Sequence, residues 1–422
     1  MTTPAWASRA FSPLAVRNFR LYFIGQTLSV SGTWMQRIAQ SWLVLELTGS
    51  GTAIGLVTAV QFLPLLFLAP LGGVIADRFD KRRLLFATQS LAALLAAILG
   101  ILVVADVVRL WMVYALAGAL GLVASIDNPT RQTFVLEMVG REKLTSAVSL
   151  NSVLVNLARV LGPAAAGALI VTVGLGPCFL VNAATYLAVI TALALMHHGD
   201  LYAVPPQSRR AGQLREGLRY VWATPELRTP LLMMAVVGML AYEFQVILPL
   251  IAKFTFGGDA GTFATMTAFM GGGAVAGGLF TASRKARPAV ALARTGALFG
   301  ITQVLASFAP TLTVEYAAMA VVGAASISFL ALGNATLQLR STPEMRGRVM
   351  GLWAVAFLGS TPIGGPIVGW VGEHIGPRYG LGLGGVATLA AAAIAYRGLR
   401  ALGATPTELA DIAPSPPAKL AP

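Results

Sequence analysis

Apolar stretches of about 20 residues, separated by short polar connections, recur along the whole chain. An α-helix needs about 20 apolar residues to cross the hydrocarbon core of a bilayer, so each stretch predicts one membrane span. The pattern therefore predicts an all-α integral membrane protein with twelve transmembrane helices. The predicted spans cover residues 19–45, 52–76, 84–106, 110–128, 146–173, 176–197, 230–252, 262–282, 289–309, 313–336, 350–372 and 379–397.

The composition agrees with a membrane protein and excludes other classes. Of the 422 residues, 56% are hydrophobic and 11% are charged, and the mean hydropathy is +0.74. Soluble domains carry about 25% charged residues. A soluble multidomain enzyme, a disordered chain and a coiled coil are therefore excluded. The single cysteine, Cys178, excludes a disulfide framework and a cysteine-based metal site, and we expect it to fill a small space in the core.

The net charge of +13 would favour nucleic acid as the partner of a soluble protein. Here, however, 24 of the 30 lysine and arginine residues lie in alternate connections or near the termini. The intervening connections hold only Arg109, Lys253 and Arg378. The positive-inside rule then places both termini in the cytoplasm. We expect the basic surface to face anionic membrane lipid and not nucleic acid.

Short motifs recur in the same order in the two halves of the chain. Asn128-Pro-Thr-Arg-Gln132 corresponds to Asn334-Ala-Thr-Leu-Gln338, and Gly162-Pro163 corresponds to Gly365-Pro366. Two parallel repeats of six helices imply a pseudo-two-fold axis along the membrane normal, with a central site between the repeats. The repeat therefore predicts a transporter.

The predicted domains follow from the repeat. Residues 1–197 form an N-terminal six-helix bundle and residues 230–398 a second one. The linker at 198–229 has Leu and aromatic residues at helical spacing between Leu214 and Trp222, which predicts an amphipathic helix on the cytoplasmic membrane face. Residues 399–422, rich in Pro and Ala, are predicted to be a disordered cytoplasmic tail.

The connection after the second span carries a charged motif, Gly73-Val-Ile-Ala-Asp77-Arg78-Phe-Asp80-Lys81-Arg82-Arg83. It resembles the hallmark of the major facilitator superfamily, G-x-x-x-D-R-x-G-R-[KR]-[KR]. Asp80 stands where the family has Gly, and Lys81 stands where it has Arg, so Asp80 could compete with Asp77 for the arginines.

The resemblance implies a charge lock between the two halves, formed and broken during alternating access. Its residues would be Gly73, Asp77, Arg78 and Arg82. Asp127, at the inner end of the fourth span, resembles the acidic partner of this loop in many exporters. The alternative is that these basic residues only set topology and form a surface ion pair.

The fifth span carries Gly162-Pro163-Ala-Ala-Ala-Gly167, which resembles the Gly-Pro signature of proton-coupled antiporters. Proline frees a backbone carbonyl and kinks a helix, while glycines allow close helix contact. The alternative for Gly162, Pro163 and Gly167 is a structural kink that has no bearing on transport direction.

Charged residues deep in the predicted spans are candidates for function, because each costs about 2.5–3.5 kcal/mol at a helix centre on insertion scales. Glu243 is the one carboxylate that the spans place deep in the membrane, and Arg37 and Arg159 are the deep cations. Burial favours the neutral form of a carboxyl group, as a proton carrier requires. Glu243 is therefore the candidate for proton coupling. The alternatives are a static buried pair with Arg37 or Arg159, or direct contact with substrate.

Other polar and aromatic residues of the spans are candidates for the wall of a central cavity, although Trp34 suits an interfacial aromatic belt equally well. The candidates are Tyr22, Gln26, Trp34, Gln61, Tyr242 and Gln245. Catalytic motifs, metal-ligand spacings and a phosphate-binding lysine loop do not occur in the sequence, so we expect neither an enzyme nor a cofactor, metal or ATP requirement.

Further motifs narrow the resemblance to one bacterial branch of the superfamily, which includes enterobactin exporters and macrolide or multidrug efflux proteins. They are Asn18-Phe-Arg-Leu-Tyr22, Trp34-Met-Gln36, Leu43-Val-Leu-Glu-Leu-Thr-Gly49 and Phe244-Gln-Val-Ile-Leu-Pro249. The resemblance implies a proton-coupled exporter of a small amphipathic drug or siderophore-like metabolite. It would act as a monomer in the bacterial cytoplasmic membrane. An importer or facilitator of a metabolite or lipid, and a non-transporting membrane sensor or assembly partner, remain alternatives.

Overall fold

The computed structural model describes residues 11–202, 213–282 and 290–401. Within these ranges the backbone is 90% helical and contains no strand. The helices are α1 (Arg17–Thr48), α2 (Gly51–Arg78), α3 (Lys81–Val104), α4 (Leu110–Val173), α5 (Leu175–Ala194), α6 (Gln213–Ala223), α7 (Pro225–Leu240), α8 (Phe244–Leu250), α9 (Ala260–Ala282), α10 (Val290–Ser307), α11 (Leu312–Arg340), α12 (Pro343–Leu358), α13 (Thr361–His374) and α14 (Pro377–Ala401).

The helices have the length and surface of membrane spans. Nine helical segments in the described ranges are long and apolar enough to cross a bilayer. Large apolar side chains cover their outer faces, and examples are Phe67, Leu279 and Ile394, each at least 66% exposed. Such a surface is stable in lipid and not in water. The chain is therefore a multi-pass membrane protein.

Helix α4 is much longer than the sequence pattern predicts. The predicted connection at 129–145 is wrong, because the helix continues to residue 139 and resumes at 141. Phe134 and Met138, one turn apart, are fully buried and extend the apolar face of the helix. Gly140 adopts a φ of 71°, a left-handed conformation that glycine accepts without strain and that ends the first part of α4.

Two of the predicted continuous spans are broken near their centres. The span at 230–252 is interrupted between α7 and α8 at residues 241–243, and a π-helical turn (Ile251–Thr255) follows α8. The span at 350–372 is interrupted between α12 and α13 at residues 359–360. Non-helical backbone at membrane depth is tolerated only where it is buried in protein or lines a cavity. The breaks therefore indicate where a site lies.

The two halves, α1–α5 and α7–α14, share one core at one end and have separate cores at the other. The shared core joins residues such as Ile38 and Leu45 of α1 to Leu250 and Phe263 of the second half. Near the basic connections at 78–83 and 340–348, the first half has its own core around Phe134 and the second has its own around Leu337. We call this the basic end, and the other the opposite end.

Glycines bring the halves into backbone contact at the opposite end. A Cβ atom built on Gly55 of α2 would overlap the carbonyl oxygen of Gly365 of α13, and the same holds for Gly51 and Gly369. Gly51 and Gly55 on α2, like Gly365 and Gly369 on α13, have the small-xxx-small spacing that lets membrane helices approach closely. Glu373 of α13 accepts hydrogen bonds from Ser50 and Thr52 nearby, at 2.6–2.9 Å. The halves are thus closed against each other at this end.

Helix α6, in the predicted linker, packs on the basic end of the second half. Val221 is fully buried, and Glu216 forms an ion pair with Arg348 of α12 at 2.8 Å. Leu218 and Trp222 are about half exposed on its other face. The rest of the predicted linker at 203–212, and residues 402–422 of the predicted tail, lie outside the described residues.

Candidate functional site

A cavity of about 200 Å³ lies at mid-depth between the two halves. Its wall includes α1, α2 and the second part of α4 from one half, and α8, α9, α11 and both helix breaks from the other. The closed opposite end covers it on one side. A central pocket at the interface of two repeats is the expected position of a transporter's substrate site.

Glu243 lies at the break between α7 and α8 and reaches this cavity. Its side chain is 4% exposed and lies beside Thr361, the first residue of α13. Within the part of the chain that the structure describes, the carboxyl oxygen Oε1 has no hydrogen-bond partner. Both broken spans therefore meet at one buried carboxyl group. An unpaired buried carboxylate costs free energy, because no partner replaces the water that burial removes.

The break at Glu243 is held by side chains of neighbouring helices. Gln303 of α10 donates to the carbonyl oxygen of Ala241 at 3.1 Å, which satisfies an acceptor that the interrupted helix leaves free. The hydroxyl group of Tyr242 donates to the carbonyl oxygen of Ser326 at 2.7 Å. Contacts with other helices thus stabilise the irregular backbone. These contacts position Glu243, and because they join residues far apart in the chain, a local sequence pattern does not reveal them.

Arg37 and Arg159 also reach the cavity, beside Trp34. The guanidinium carbon of Arg37 lies 4.8 Å from the Trp34 ring centroid, and that of Arg159 lies 5.4 Å from it. Within the described residues, neither arginine forms an ion pair with Glu243 or with any other carboxylate. The static pair that the sequence left open is therefore not formed in this state, although all three charged groups line one cavity.

The six predicted cavity residues separate into two groups. Trp34, Tyr242 and Gln245 line the cavity. The other three do not belong to its wall. Tyr22 packs edge-on against Phe134 in the basic-end core, and Gln61 bonds to Gln40 at 3.2 Å. The remaining residue, Gln26, is buried and joins a polar network described next.

Asp127 is the centre of a polar network inside the first half. It forms an ion pair with Arg131 at 2.7 Å and accepts hydrogen bonds from Thr88 and Gln89 of α3. Arg131 in turn donates to Gln26 of α1 at 3.1 Å. These contacts tie α1, α3 and α4 together. The described partners of Asp127 thus lie in α3 and α4 and outside the charged motif of residues 73–83.

The charged motif itself is anchored to the first half. Arg82 donates to the carbonyl oxygens of Leu193 and Ala194 at the end of α5, at 2.7 and 3.1 Å. Lys81 forms an ion pair with Glu137 of α4 at 2.6 Å. Sequence reasoning missed Glu137, because the stretch that contains it was predicted as a loop.

The remaining motif residues lie at the basic end of α2. Gly73 is buried, Asp77 is partly buried and Arg78 is exposed. The neighbouring Gly72 lies against the backbone of Ser125 in α4, where a Cβ atom would overlap the Ser125 carbonyl oxygen. The glycines of the motif therefore allow α2 and α4 to pack closely, which fixes where Asp77 and Arg78 emerge.

Asp80, which departs from the superfamily pattern, caps α3. Its Oδ1 atom accepts a hydrogen bond from the backbone N–H of Arg83 at 2.7 Å. Asp is among the best N-cap residues, because its side chain satisfies a backbone donor that the helix leaves free. The observed bond explains why Asp is suited to this position.

Replacing Asp80 tests this capping role. We expect Asp80→Ala to lower the free energy of unfolding by about 1 kcal/mol, and Asp80→Gly to lower it by only a few tenths, since Gly is itself tolerated at an N-cap. Thermal unfolding of the purified variants in detergent measures both. Equal effects of the two substitutions, or none, would contradict the capping role.

The Gly-Pro segment of α4 packs against α1 and α9 beside the cavity. A Cβ atom on Gly162 would overlap the side chain of Trp34, so α4 and α1 cross closely at this point. Gly167 faces Ala264 of α9 in the other half. Pro163 is buried, and the backbone dihedral angles of α4 stay helical there, the one non-helical residue being Gly140. The segment therefore places Arg159, one turn earlier, beside Trp34.

Two further carboxylates are buried, and both lie near the ends of the predicted spans. Asp127 is 4% exposed and Glu315, at the start of α11, is 1% exposed. Glu315 lies near Arg378 of α14, which donates to the carbonyl oxygen of Ala309 at 2.7 Å. Sequence analysis did not single out Glu315, because a charged side chain near the end of a span is expected to be exposed. Among the described residues, no group of His, Cys, Asp and Glu side chains could hold a metal ion.

Residues 8–419 match a family of the major facilitator superfamily that is described as transmembrane secretion effectors. The chain belongs to this family. Its members among the curated relatives are transporters and not enzymes. The predicted membership in the superfamily, and in its branch of exporters, is confirmed.

Three relatives illustrate the family. The staphyloferrin A transporter of Staphylococcus aureus is 27% identical over 260 residues, which are 61% of this chain and 65% of that protein, just under two thirds. The multidrug efflux pump Tap of Mycobacterium tuberculosis is 27% identical over 84% of this chain and 88% of that one. The enterobactin exporter EntS of Escherichia coli O1:K1 / APEC is 24% identical over 85% of this chain and 86% of that one.

A solved structure shows the same fold. A bacterial homologue of the human lysosomal transporter Spinster, in an inward-facing and unoccupied conformation, superposes with a TM-score of 0.71 at 15% identity. The superposition covers 91% of this chain and 97% of that one. Together with the family match, this all-helical fold makes the secretion effector a transporter of the major facilitator type.

Proposed function

We propose that this secretion effector is a proton-coupled exporter of small amphipathic compounds, a drug or a siderophore-like metabolite, that works by alternating access. The observation that carries the proposal is Glu243, a buried carboxyl group with one unsatisfied oxygen, placed where two broken spans meet at the central cavity. The exporter character of its relatives supports the direction of transport.

The proposal includes the predicted topology. Twelve spans form two bundles, at 1–197 and 230–398, and the basic end faces the cytoplasm of a bacterial cell with both termini. The protein works as a monomer in the cytoplasmic membrane, where its basic residues meet anionic lipid headgroups. With this orientation, the closed opposite end faces outward and the described state is inward-facing.

Glu243 is proposed to carry the proton because its environment differs between the two states. In the described state it contacts Thr361 and lies against Gly365, both on α13, whose contact with α2 closes the outer end. Opening that end moves α13 and changes what surrounds the carboxyl group. At about 150 mV one proton supplies about 3.5 kcal/mol, enough for a gradient of a few hundred-fold.

Asp77, Arg78 and their neighbours are proposed to act when the basic end closes. In the described state Lys81 and Arg82 of the motif bond to α4 and α5 of their own half. A motif that is anchored to the first half and exposes Arg78 is suited to meet the second half on closure. The lock of the superfamily resemblance would then form in the outward-facing state.

Everted membrane vesicles test the function. Respiration acidifies their lumen, so a proton-coupled exporter accumulates substrate inside. We expect uptake of at least one of two dyes, anionic carboxyfluorescein or cationic rhodamine 6G, and collapse of that uptake with nigericin. Gradient-driven uptake into right-side-out vesicles instead would indicate an importer. Absence of gradient-dependent movement of both dyes, with folded protein present, would contradict the transport proposal.

A further inference from the structure

The cavity contains two arginines that form no ion pair with a carboxylate of the described residues. Arg37 and Arg159 come from different helices, and both guanidinium groups lie over the ring of Trp34. The Nε atom of Arg159 is buried and has no hydrogen-bond partner in the described ranges. Two like charges at mid-depth in a membrane protein are costly, and cation–π contacts with one indole recover only part of that cost.

Arg131, a partly buried arginine of the first half, illustrates how a structural cation is paired in this protein. Arg131 forms an ion pair with Asp127 at 2.7 Å and donates further hydrogen bonds to Gln26 and Asn128. It is therefore neutralised and fully bonded within the first half. Arg37 and Arg159 lack such partners among the described residues, although the fold brings them together through the tight crossing at Gly162.

Glu243 does not balance the two charges. It is held on the other side of the cavity, against Thr361 and Gly365 of the second half. Even when it is ionised, two cations face one anion and the cavity keeps a net positive charge. The missing negative charge must come from something that enters the cavity.

We propose that the substrate is an amphipathic organic anion whose carboxylate binds between Arg37 and Arg159 and whose apolar body rests on the aromatic wall. Guanidinium groups bind carboxylates through paired, charge-assisted hydrogen bonds. Trp34, Phe62 and Phe357 supply the aromatic surface. This inference rests on the proposed function, since it names the class of compound that the exporter carries. The inside-negative membrane potential would assist the exit of such an anion.

Two probes with the same apolar body and opposite charge test the proposal: 1-naphthoate and 1-naphthylmethylammonium. Binding to the purified protein in detergent is measured by calorimetry and by the shift in melting temperature. We expect 1-naphthoate to bind and stabilise the protein, and the cation to have no effect. Arg37→Gln and Arg159→Gln should each weaken binding of 1-naphthoate by about 10- to 150-fold, the range for hydrogen bonds to charged groups.

Matched variants separate binding from structure. Arg37→Lys and Arg159→Lys should retain part of the affinity, and Arg294→Gln, on an exposed face of α10, should leave it unchanged. Without ligand, Arg159→Gln should melt at the wild-type temperature or above, because it removes like-charge repulsion. A fall of several degrees would instead indicate a structural cation and would count against the proposal.

Equal or tighter binding of the cation, binding of neither probe, or unchanged 1-naphthoate binding in both Gln variants would overturn the proposal. Binding requires no gradient, so this result is independent of the vesicle experiment. Failure of gradient-driven transport with intact binding of 1-naphthoate would contradict the proposed function alone.

Discussion

Glu243→Gln is expected to abolish gradient-driven accumulation of substrate while leaving substrate exchange intact. Glutamine keeps the size and hydrogen bonding of a protonated glutamate but cannot release a proton. One proton limits the ratio of substrate inside to outside the everted vesicles to about a few hundred-fold. In Glu243→Gln this ratio should fall to about one. Exchange of labelled for unlabelled substrate needs no net proton movement, so its rate should stay within a few-fold of wild type.

Glu315→Gln is the matched control for this experiment. It removes another buried carboxyl group with an unsatisfied oxygen, but one that lies near Arg378 and away from the central cavity. We expect its accumulation ratio to match wild type. Undiminished accumulation by Glu243→Gln would exclude Glu243 as the proton carrier. Loss of both accumulation and exchange would assign it to substrate binding.

Gly55→Leu is expected to open the end that the described structure closes. The carbonyl oxygen of Gly365 occupies the space that a Cβ atom at position 55 needs, so a leucine side chain must push α2 away from α13. Overpacking a tight contact costs about 1–3 kcal/mol, which corresponds to about a 5- to 150-fold shift in the balance between two conformations. Transport should fall because the closed state is no longer well populated.

Cysteine labelling measures that shift. The native Cys178 is buried, so a Cys178→Ser background with Thr267→Cys in the cavity wall gives one reporter. A membrane-impermeant maleimide added outside intact cells should label this reporter about 5- to 150-fold faster in Gly55→Leu. Gly272→Leu, whose position on α9 has open space, should label like the parent protein. Equal labelling rates in all three would contradict the role of the glycine contact.

Composition and periodicity alone predict the membrane spans and their orientation. Apolar runs of membrane length and basic residues in alternate connections depend on local sequence alone, because each span must satisfy its own backbone bonds and its own cost of insertion. The internal repeat and the charged motif at residues 73–83 identified the superfamily. Glu243, Arg37 and Arg159 also stood out locally, since charge within an apolar run is costly wherever it occurs.

The arrangement of those charges required the tertiary structure. The breaks beside Glu243 depend on Gln303, 60 residues away in sequence, and on α13. The absence of an ion pair between Glu243 and either arginine in the described residues depends on which helices cross, as at Gly162 and Trp34. Asp127 forms its ion pair with Arg131, within its own half, for the same reason. A sequence fixes which groups are costly to bury. Only the packing of distant helices decides which of them are neutralised by the protein and which are left for a ligand or a proton.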